Sequence, residues 1–313
     1  MKNNLVASIT VNYGTDYLTI KCINSLINSE SNLLNTVCIF DNKVAITSQL
    51  EFYLDDTYKY AYKKFISSYL VKIYIISDSL NIIYLSSDVN LGFSNACNIS
   101  YFILCQLSNY KYYYLINSDC LVYSNSIKEL VKAADSHPVV VYSSKVLDLS
   151  GKVWFEGGVY NKLLGTTKHV RYKQFKKEKS KFLSGCALLL PEIILNEIGF
   201  LDPIYFLYGE DLDFSIRLQR NGYKLDICNL SIVTHAPGSS SVKRSYCAYD
   251  LYVTNTLGCF FKNFPFIYFP TIFFYHFVKF TSLNILIPRN FKNNIGYLRG
   301  IINASRKFIK KNA

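Results

Sequence analysis

Four short apolar runs, each closed by a polar or acidic residue, constrain this chain more than any other feature. Residues 5–11 are apolar and β-branched and end at Asn12-Tyr13-Gly14; residues 36–40 end at Asp41-Asn42. Residues 112–116 end at Asn117-Ser118-Asp119, and residues 231–235 end on His235. Short apolar runs of this kind read as strands buried on both faces of a sheet. Helical patterns separate them. Thr15 or Asp16 caps a stretch to Ile27 with Leu18, Cys22, Ile23, Leu26 and Ile27 on one stripe, and Asn90-Leu91-Gly92-Phe93 opens another that runs to Leu107. Strand and helix patterns in alternation predict an α/β fold, a Rossmann-like, largely parallel sheet flanked by helices. Open sheets of that type bind ligands just beyond their strand ends, where these polar residues collect.

The intervening segments are less regular. Residues 51–84 are rich in Tyr and Lys, with a strand or hairpin expected around 71–85. Residues 143–181 read as irregular, with four glycines and a basic run from Lys168 to Lys181. A buried strand or helix start over 182–190 is expected to stop at Pro191, and an acidic cluster within 206–222 precedes a helix that Gly222 would end. Beyond Ser239-Ser240-Ser241 the composition turns aromatic and basic, which places a domain boundary at 241 and divides the chain into 1–241 and 242–313.

Charge follows that division. The chain carries +12 overall, but residues 242–313 hold eleven basic residues and one acid, Asp250, which leaves only +2 for the first 241. A nearly neutral body with a basic end is not a uniformly basic nucleic-acid binder, and no RNA-binding motif accompanies the charge. The nine cysteines include no CxxC pair and mostly sit in apolar runs, which argues for buried reduced thiols rather than a disulfide scaffold or a structural zinc site. The N-terminal residues lack the long apolar stretch and cleavage site of a signal peptide, so a cytoplasmic protein is expected.

Several positions have the chemistry of a ligand site. Asp119, after a strand, can hold a hard divalent cation when a diphosphate supplies the remaining ligands, and it also suits an ordinary turn. Asp41 can accept the ring N–H of a pyrimidine while Asn42 reads a carbonyl; an Asx-turn uses the same pair. Asn90 and Gly92 lead into a helix start where backbone N–H groups approach a phosphate or sugar, or simply cap the helix. Three carboxylates in four residues, Glu210, Asp211 and Asp213, repel one another more than a helix dipole offsets; one of them suits a general base. Arg217 lies one turn beyond Asp213 for an i,i+4 pair. His235 is either a structural residue or a metal ligand. No GxGxxG fingerprint supports a dehydrogenase, and residues 11–16 lack the Gly-rich basic loop of a nucleotidyltransferase.

The order of these motifs resembles the family-2 glycosyltransferases of GT-A fold, particularly their bacterial rhamnosyltransferase-like branch. The resemblance covers roughly residues 5–265. It rests on Val11-Asn12-Tyr13, Asp41-Asn42, Asn90-Leu91-Gly92-Phe93 with Asn98, Asn117-Ser118-Asp119 and Ser184-Gly185-Cys186-Ala187. It continues through Gly199-Phe200-Leu201-Asp202, residues 206–213, Arg217, Gly222-Tyr223 and His235. The resemblance implies a GT-A domain that transfers sugar with inversion. Asp211 would be the catalytic base with Glu210 beside it, Asp119 and His235 would hold Mg²⁺ or Mn²⁺ on the donor diphosphate, and Asn12, Asp41, Asn90, Gly92, Asn98 and Asn117 would line the donor site. It also implies a nucleotide-sugar donor, dTDP-rhamnose first and a UDP-sugar second, and a saccharide acceptor, lipid-linked, in cell-surface polysaccharide synthesis. The chain departs from the pattern in three places. Asn117 stands where many relatives have the first Asp of a DxD, 51–84 reads as an insertion, and Thr254-Asn255 replaces an Arg-Asn pair.

Residues 264–287 are apolar but carry Pro265, Pro270, His276 and Lys279, and a central Lys costs roughly 2.5–3.5 kcal/mol in a bilayer. Aromatic helices lying on an anionic membrane surface are expected instead, followed by seven basic residues and no acid over 289–311. That places the enzyme peripherally on the inner face of the cytoplasmic membrane. The alternative is a membrane-bound protein that keeps the fold without catalysis, favoured by Asn117 and Thr254 and opposed by the intact Glu210-Asp211.

Overall fold

The computed structural model describes residues 4–29, 32–42, 48–236, 246–286 and 291–309. Its strands are β1 Asn4–Asn12, β2 Leu34–Asn42, β3 Lys59–Ile66, β4 Tyr69–Ile75, β5 Asn81–Ser87, β6 Tyr110–Ile116 and β7 Cys120–Val122. They continue with β8 Val140–Leu147, β9 Val153–Phe155, β10 Gly158–Asn161, β11 Thr166–His169, β12 Lys181–Phe182, β13 Ala187–Pro191 and β14 Lys224–His235. The helices are α1 Asp16–Ile27, α2 Gln49–Thr57, α3 Phe93–Leu107, α4 Ser126–Ser136, α5 Tyr172–Lys177, α6 Glu192–Ile198 and α7 Glu210–Arg220. After them come α8 Tyr246–Asn263, α9 Phe269–Leu286 and α10 Phe291–Ala304.

The main sheet runs β3-β4-β5-β2-β1-β6-β13-β8-β14-β7, with β9 added to β8. Its heart, β5-β2-β1-β6, is parallel, and this is where the apolar runs lie. Val6, Ile9, Val37, Cys38, Ile39, Phe40, Tyr113 and Tyr114 are fully buried there. β13 enters antiparallel between β6 and β8. Parallel pairing aligns the C-terminal ends of β1, β2 and β6, so Asn12, Asp41 and residues 117–119 emerge on one edge. The expected α/β fold is present.

The hairpin expected around 71–85 is present as the antiparallel β4-β5 pair, with Val71 opposite Leu85, while the rest of 51–84 and residues 143–181 are more ordered than expected. Residues 51–84 hold α2 and an antiparallel β3-β4 hairpin that pairs with β5 and extends the sheet edge. β3 displays lysines and tyrosines to solvent, as an edge strand protected by charge does. Residues 143–181 are not irregular: most of β8, then β9, a β10-β11 hairpin and α5 fill them. The buried strand expected to stop at Pro191 does so: β13 ends on that residue, paired with Tyr112, and α6 follows at once.

The boundary at 241 lies outside the described residues. The helices beyond it pack on the body. The Asn255 amide donates to Leu207 O at 2.8 Å, Lys307 Nζ to Ile204 O at 2.7 Å, and the Phe308 ring stacks on Tyr205. Among the described residues no helix is long and apolar enough to cross a membrane.

Candidate active site

The site grows from the strand ends. Asn12, fully buried, accepts from Thr15 N–H and from the Thr15 and Thr19 hydroxyls, and it donates to Asp16 (2.7 Å) and Asp41 (2.8 Å). The other Asp41 oxygen accepts from Tyr84 OH at 2.8 Å. Asp41 is therefore fixed from both sides, with one lone pair on each oxygen still to give. Asn42 ties this strand end to the next segment by accepting from Leu91 N–H at 3.2 Å. Tyr84 carried no signal in the sequence, because only the β2-β5 pairing brings it to Asp41.

Asn90 accepts from Gly92 N–H at 2.9 Å and so shapes the turn before α3. Gly92 has φ +80°, and a Cβ there would meet the Phe206 backbone O at 2.6 Å. The Phe93 N–H donates to that same oxygen at 2.7 Å. Glycine is thus required twice over, by conformation and by the closeness of residue 206. Asn98 sits farther along α3, where its amide pairs with both the N–H and the C=O of Leu201. It clamps the turn at 199–202 with both amide ends, rather than presenting them to a ligand.

Asp119 Oδ1 lies 3.1 Å from His235 Nε2, and the Ala236 N–H donates to the Asp119 carbonyl at 3.1 Å. β7 pairs with the end of β14, and this joins the two residues. Burial pulls the His235 pKa down, but the hydrogen bond that Nε2–H donates to Asp119, with the negative charge of that carboxylate, outweighs it and raises it. The other ring nitrogen, Nδ1, is buried with no hydrogen-bond partner, and Trp154 packs edge-on against the ring. A carboxylate and an imidazole converging in this way fit a divalent cation that takes its other ligands from a diphosphate.

The acidic cluster separates into three roles. Tyr208 (φ +68°) and Gly209 (φ +86°) are both left-handed and turn the chain sharply into α7. Glu210 is buried with Oε2 unpartnered; burial first, and then the Asp211 charge, push its pKa up. Asp211 is also raised by burial, while N–H groups pull it back: Gly185 donates to Oδ2 at 3.3 Å and Leu212 to Oδ1 at 2.8 Å. Of the pair, Asp211 is the better site for negative charge. Asp213 points the other way, into the protein. It is fully buried and meets Arg217 Nε (2.9 Å), Lys262 Nζ (2.7 Å) and the Asn263 amide (2.7 Å). The i,i+4 pair to Arg217 is present, but Lys262 and Asn263 were not apparent from the sequence.

The turn before β13 connects the two halves. Asn117 N–H donates to Cys186 O at 3.0 Å, and the preceding residue, Gly185, holds Asp211. The Asp119 loop and Asp211 are thereby linked through one short turn.

This arrangement is the GT-A fold, and the chain is similar to glycosyltransferases that have it. No family model matches the sequence. Over 156 residues the chain is 22% identical to the low-salt glycan biosynthesis hexosyltransferase Agl10 of Haloferax volcanii, covering 49% of this chain and 51% of that protein. The chain thus spans about half the length of that relative. Among solved structures, S. aureus TarS in complex with UDP-GlcNAc superposes with a TM-score of 0.57 at 12% identity, over 98% of this chain and 82% of that one. GalNAc-T7 with UDP, GalNAc and Mn²⁺ gives a TM-score of 0.55 at 16% identity, over 82% of this chain and 48% of the other. None of these three is described as a rhamnosyltransferase.

Proposed function

We propose that this chain is an inverting glycosyltransferase that moves a sugar from a pyrimidine nucleoside diphosphate to a saccharide hydroxyl. The observation that carries the reading is Asp211, a carboxylate kept available for a proton by two backbone N–H groups and joined to the Asp119–His235 pair through residues 185–186. In the reaction, Asp211 takes the proton of the acceptor hydroxyl as its oxygen attacks the anomeric carbon. The bond to the leaving diphosphate breaks from the opposite face, so one displacement inverts the centre. Glu210, carrying a proton, keeps a second negative charge out of the same site. A divalent cation held by Asp119 and His235 would supply charge neutralisation on the diphosphate.

Asp41 is suited to the ring N–H that uracil and thymine share, with Asn12 and Tyr84 as its positioning residues. Asn90, Gly92, Asn98 and Asn117 shape the loops around the donor. dTDP-rhamnose follows from the branch resemblance; the UDP and UDP-GlcNAc bound by the structural relatives favour a UDP-sugar. A lipid-linked acceptor fits the C-terminal helices. Phe266, Ile267, Phe274, Phe277 and Val278 are exposed on and before α9, next to Leu163 at the β10-β11 hairpin tip, where Thr271 Oγ1 donates to Leu163 O. Such an aromatic surface on a basic segment suits shallow insertion into an anionic leaflet, peripheral on the cytoplasmic face.

A thermal-shift screen of dTDP, UDP and their sugars, with and without Mn²⁺ or Mg²⁺, tests the reading. A ligand at about 100 times its Kd adds roughly 2.7 kcal/mol of stability. Stabilisation that requires the cation supports the donor site, and no response to any nucleotide counts against it.

A further inference from the structure

Beside the Asp119–His235 pair lie two thiols that sugar transfer does not use. Cys120 opens β7 directly after Asp119, and Cys186 follows Gly185 directly before β13. Their Sγ atoms are 3.3 Å apart although 66 residues separate them. A ring nitrogen of His235 joins them, so that one ligand atom from each residue lies within 4.8 Å of the others. All three residues are buried, and the Nδ1 of His235 is buried without a partner. The cysteine spacing along the chain argued against a zinc cluster. Pairing of β6 with β13 is what brings these two together.

We propose that Cys120, Cys186 and His235 form a binding site for a thiophilic divalent cation of the zinc class, with Asp119 as the neighbouring candidate for a fourth ligand. Two sulfurs on one tetrahedral zinc, at about 2.3 Å each, sit roughly 3.8 Å apart, so the thiol pair need open by only about half an ångström. On binding, each thiol gives its proton to solvent and the sulfur lone pair goes to the cation. Sulfur ligands select zinc, cadmium or cobalt(II) over Mg²⁺, which takes oxygen. One consequence rests on the proposed function. The two sites share His235 and draw on Asp119, so a thiophilic ion bound there competes with the one that would hold the donor diphosphate and lowers transfer.

Cobalt(II) titration of the reduced full-length chain, without nucleotide, tests the site. The expected result is a thiolate-to-cobalt charge-transfer band that saturates at one ion per chain and quenches Trp154, the single tryptophan, which packs against His235. Zinc should abolish the band and excess Mg²⁺ should not. Cys120→Ser and Cys186→Ser should each weaken cobalt binding by more than roughly tenfold. Absence of the band in the wild-type chain, or its persistence in both variants, overturns the proposal. Should the variants fold poorly, cadmium NMR of the wild-type chain decides instead. A shift typical of two sulfur ligands supports the site, and one typical of oxygen and nitrogen alone rejects it. Nucleotide binding, measured with Mg²⁺ on the same preparation before cobalt is added, keeps the two readings apart. A missing band with intact UDP binding sinks only the thiol site, and the converse sinks only the transferase reading.

Discussion

The Gly185 N–H donates to Asp211 Oδ2 at 3.3 Å, and one residue later the Cys186 carbonyl accepts from Asn117. The four-residue connection between β12 and β13 therefore sets the position of the proposed base relative to the loop that carries Asp119. Asp211→Asn keeps an oxygen for one of the two backbone donors but cannot take a proton. Transfer should fall by roughly 100- to 10,000-fold while the melting temperature and UDP or dTDP affinity stay close to wild type. Assay of transfer alongside nucleotide titration checks this; unchanged turnover would remove Asp211 from the role of base.

Glu210 gives a prediction with a definite sign. Its folded-state pKa is raised above the ordinary 4.5 by burial and by Asp211, so the folded protein holds a proton that the unfolded chain releases. That contribution is fully present below the ordinary carboxylate range and is lost as pH rises through the raised value. Glu210→Gln has no charge to bury. Its melting temperature should match wild type, apart from a constant offset, at acidic pH, and should gain on it steadily towards alkaline pH. Parallel melting curves across the whole range would mean that Glu210 is not held neutral.

How far the sequence disclosed these features depends on whether their partners are local. The ends of β1, β2, β6 and β14 are legible because buried parallel strands are continuous apolar runs and their polar terminators follow at once. The position of α7 is legible for a similar reason, since Gly209 and three acids mark its start. What the acids do is not legible. Glu210, Asp211 and Asp213 look equivalent in the chain, yet one is buried with an oxygen unpartnered, one meets Gly185 from 26 residues away, and one meets Lys262 from 49 residues away. The same holds for Tyr84 on Asp41 and for Cys120 with Cys186. β3 was hidden for another reason, because an edge strand carrying lysines lacks the apolar pattern that identifies a buried one.

The Asp119–His235 pair predicts a cation effect that can be seen without turnover. Trp154 packs on the His235 ring, so Mn²⁺ added with UDP should change the emission of this single tryptophan, and a chelator should restore it. Asp119→Ala should lose that response and the cation-dependent part of any transfer together. If Asp119→Ala leaves both the fluorescence response and the cation dependence of transfer unaltered, Asp119 does not hold the metal.

Asp213 anchors α7 to α8, and its loss of a cation should be felt as stability. Arg217 donates to Asp213 and also to the carbonyls of Ile198 and Phe200. Arg217→Met leaves a fully buried carboxylate with Lys262 as its remaining cation and frees two carbonyls. Removing one partner of a buried pair costs about 3–5 kcal/mol; because Lys262 stays and Arg217 is partly exposed, a loss of roughly 2–3 kcal/mol is expected. Urea unfolding at neutral pH measures it, and a change below about 0.5 kcal/mol would show the pair to be energetically idle.

Phe274 and Phe277 are 71% and 65% exposed on α9, so replacing both by Asp should leave the core untouched. If these rings enter a membrane, each contributes up to about 1.5–3 kcal/mol of apolar burial, and the double variant should lose at least roughly tenfold in partitioning to anionic vesicles. Salt separates the two contributions. Raising ionic strength screens the basic residues of the C-terminal region but not the inserted rings. Wild-type binding should therefore weaken with salt to a residual level, and the double variant should fall to nothing at the same salt. Sedimentation with vesicles of mixed anionic and neutral lipid reads both effects. Equal sedimentation of the two proteins at high salt would mean that the exposed rings do not insert, and would leave charge alone to hold the protein at the surface.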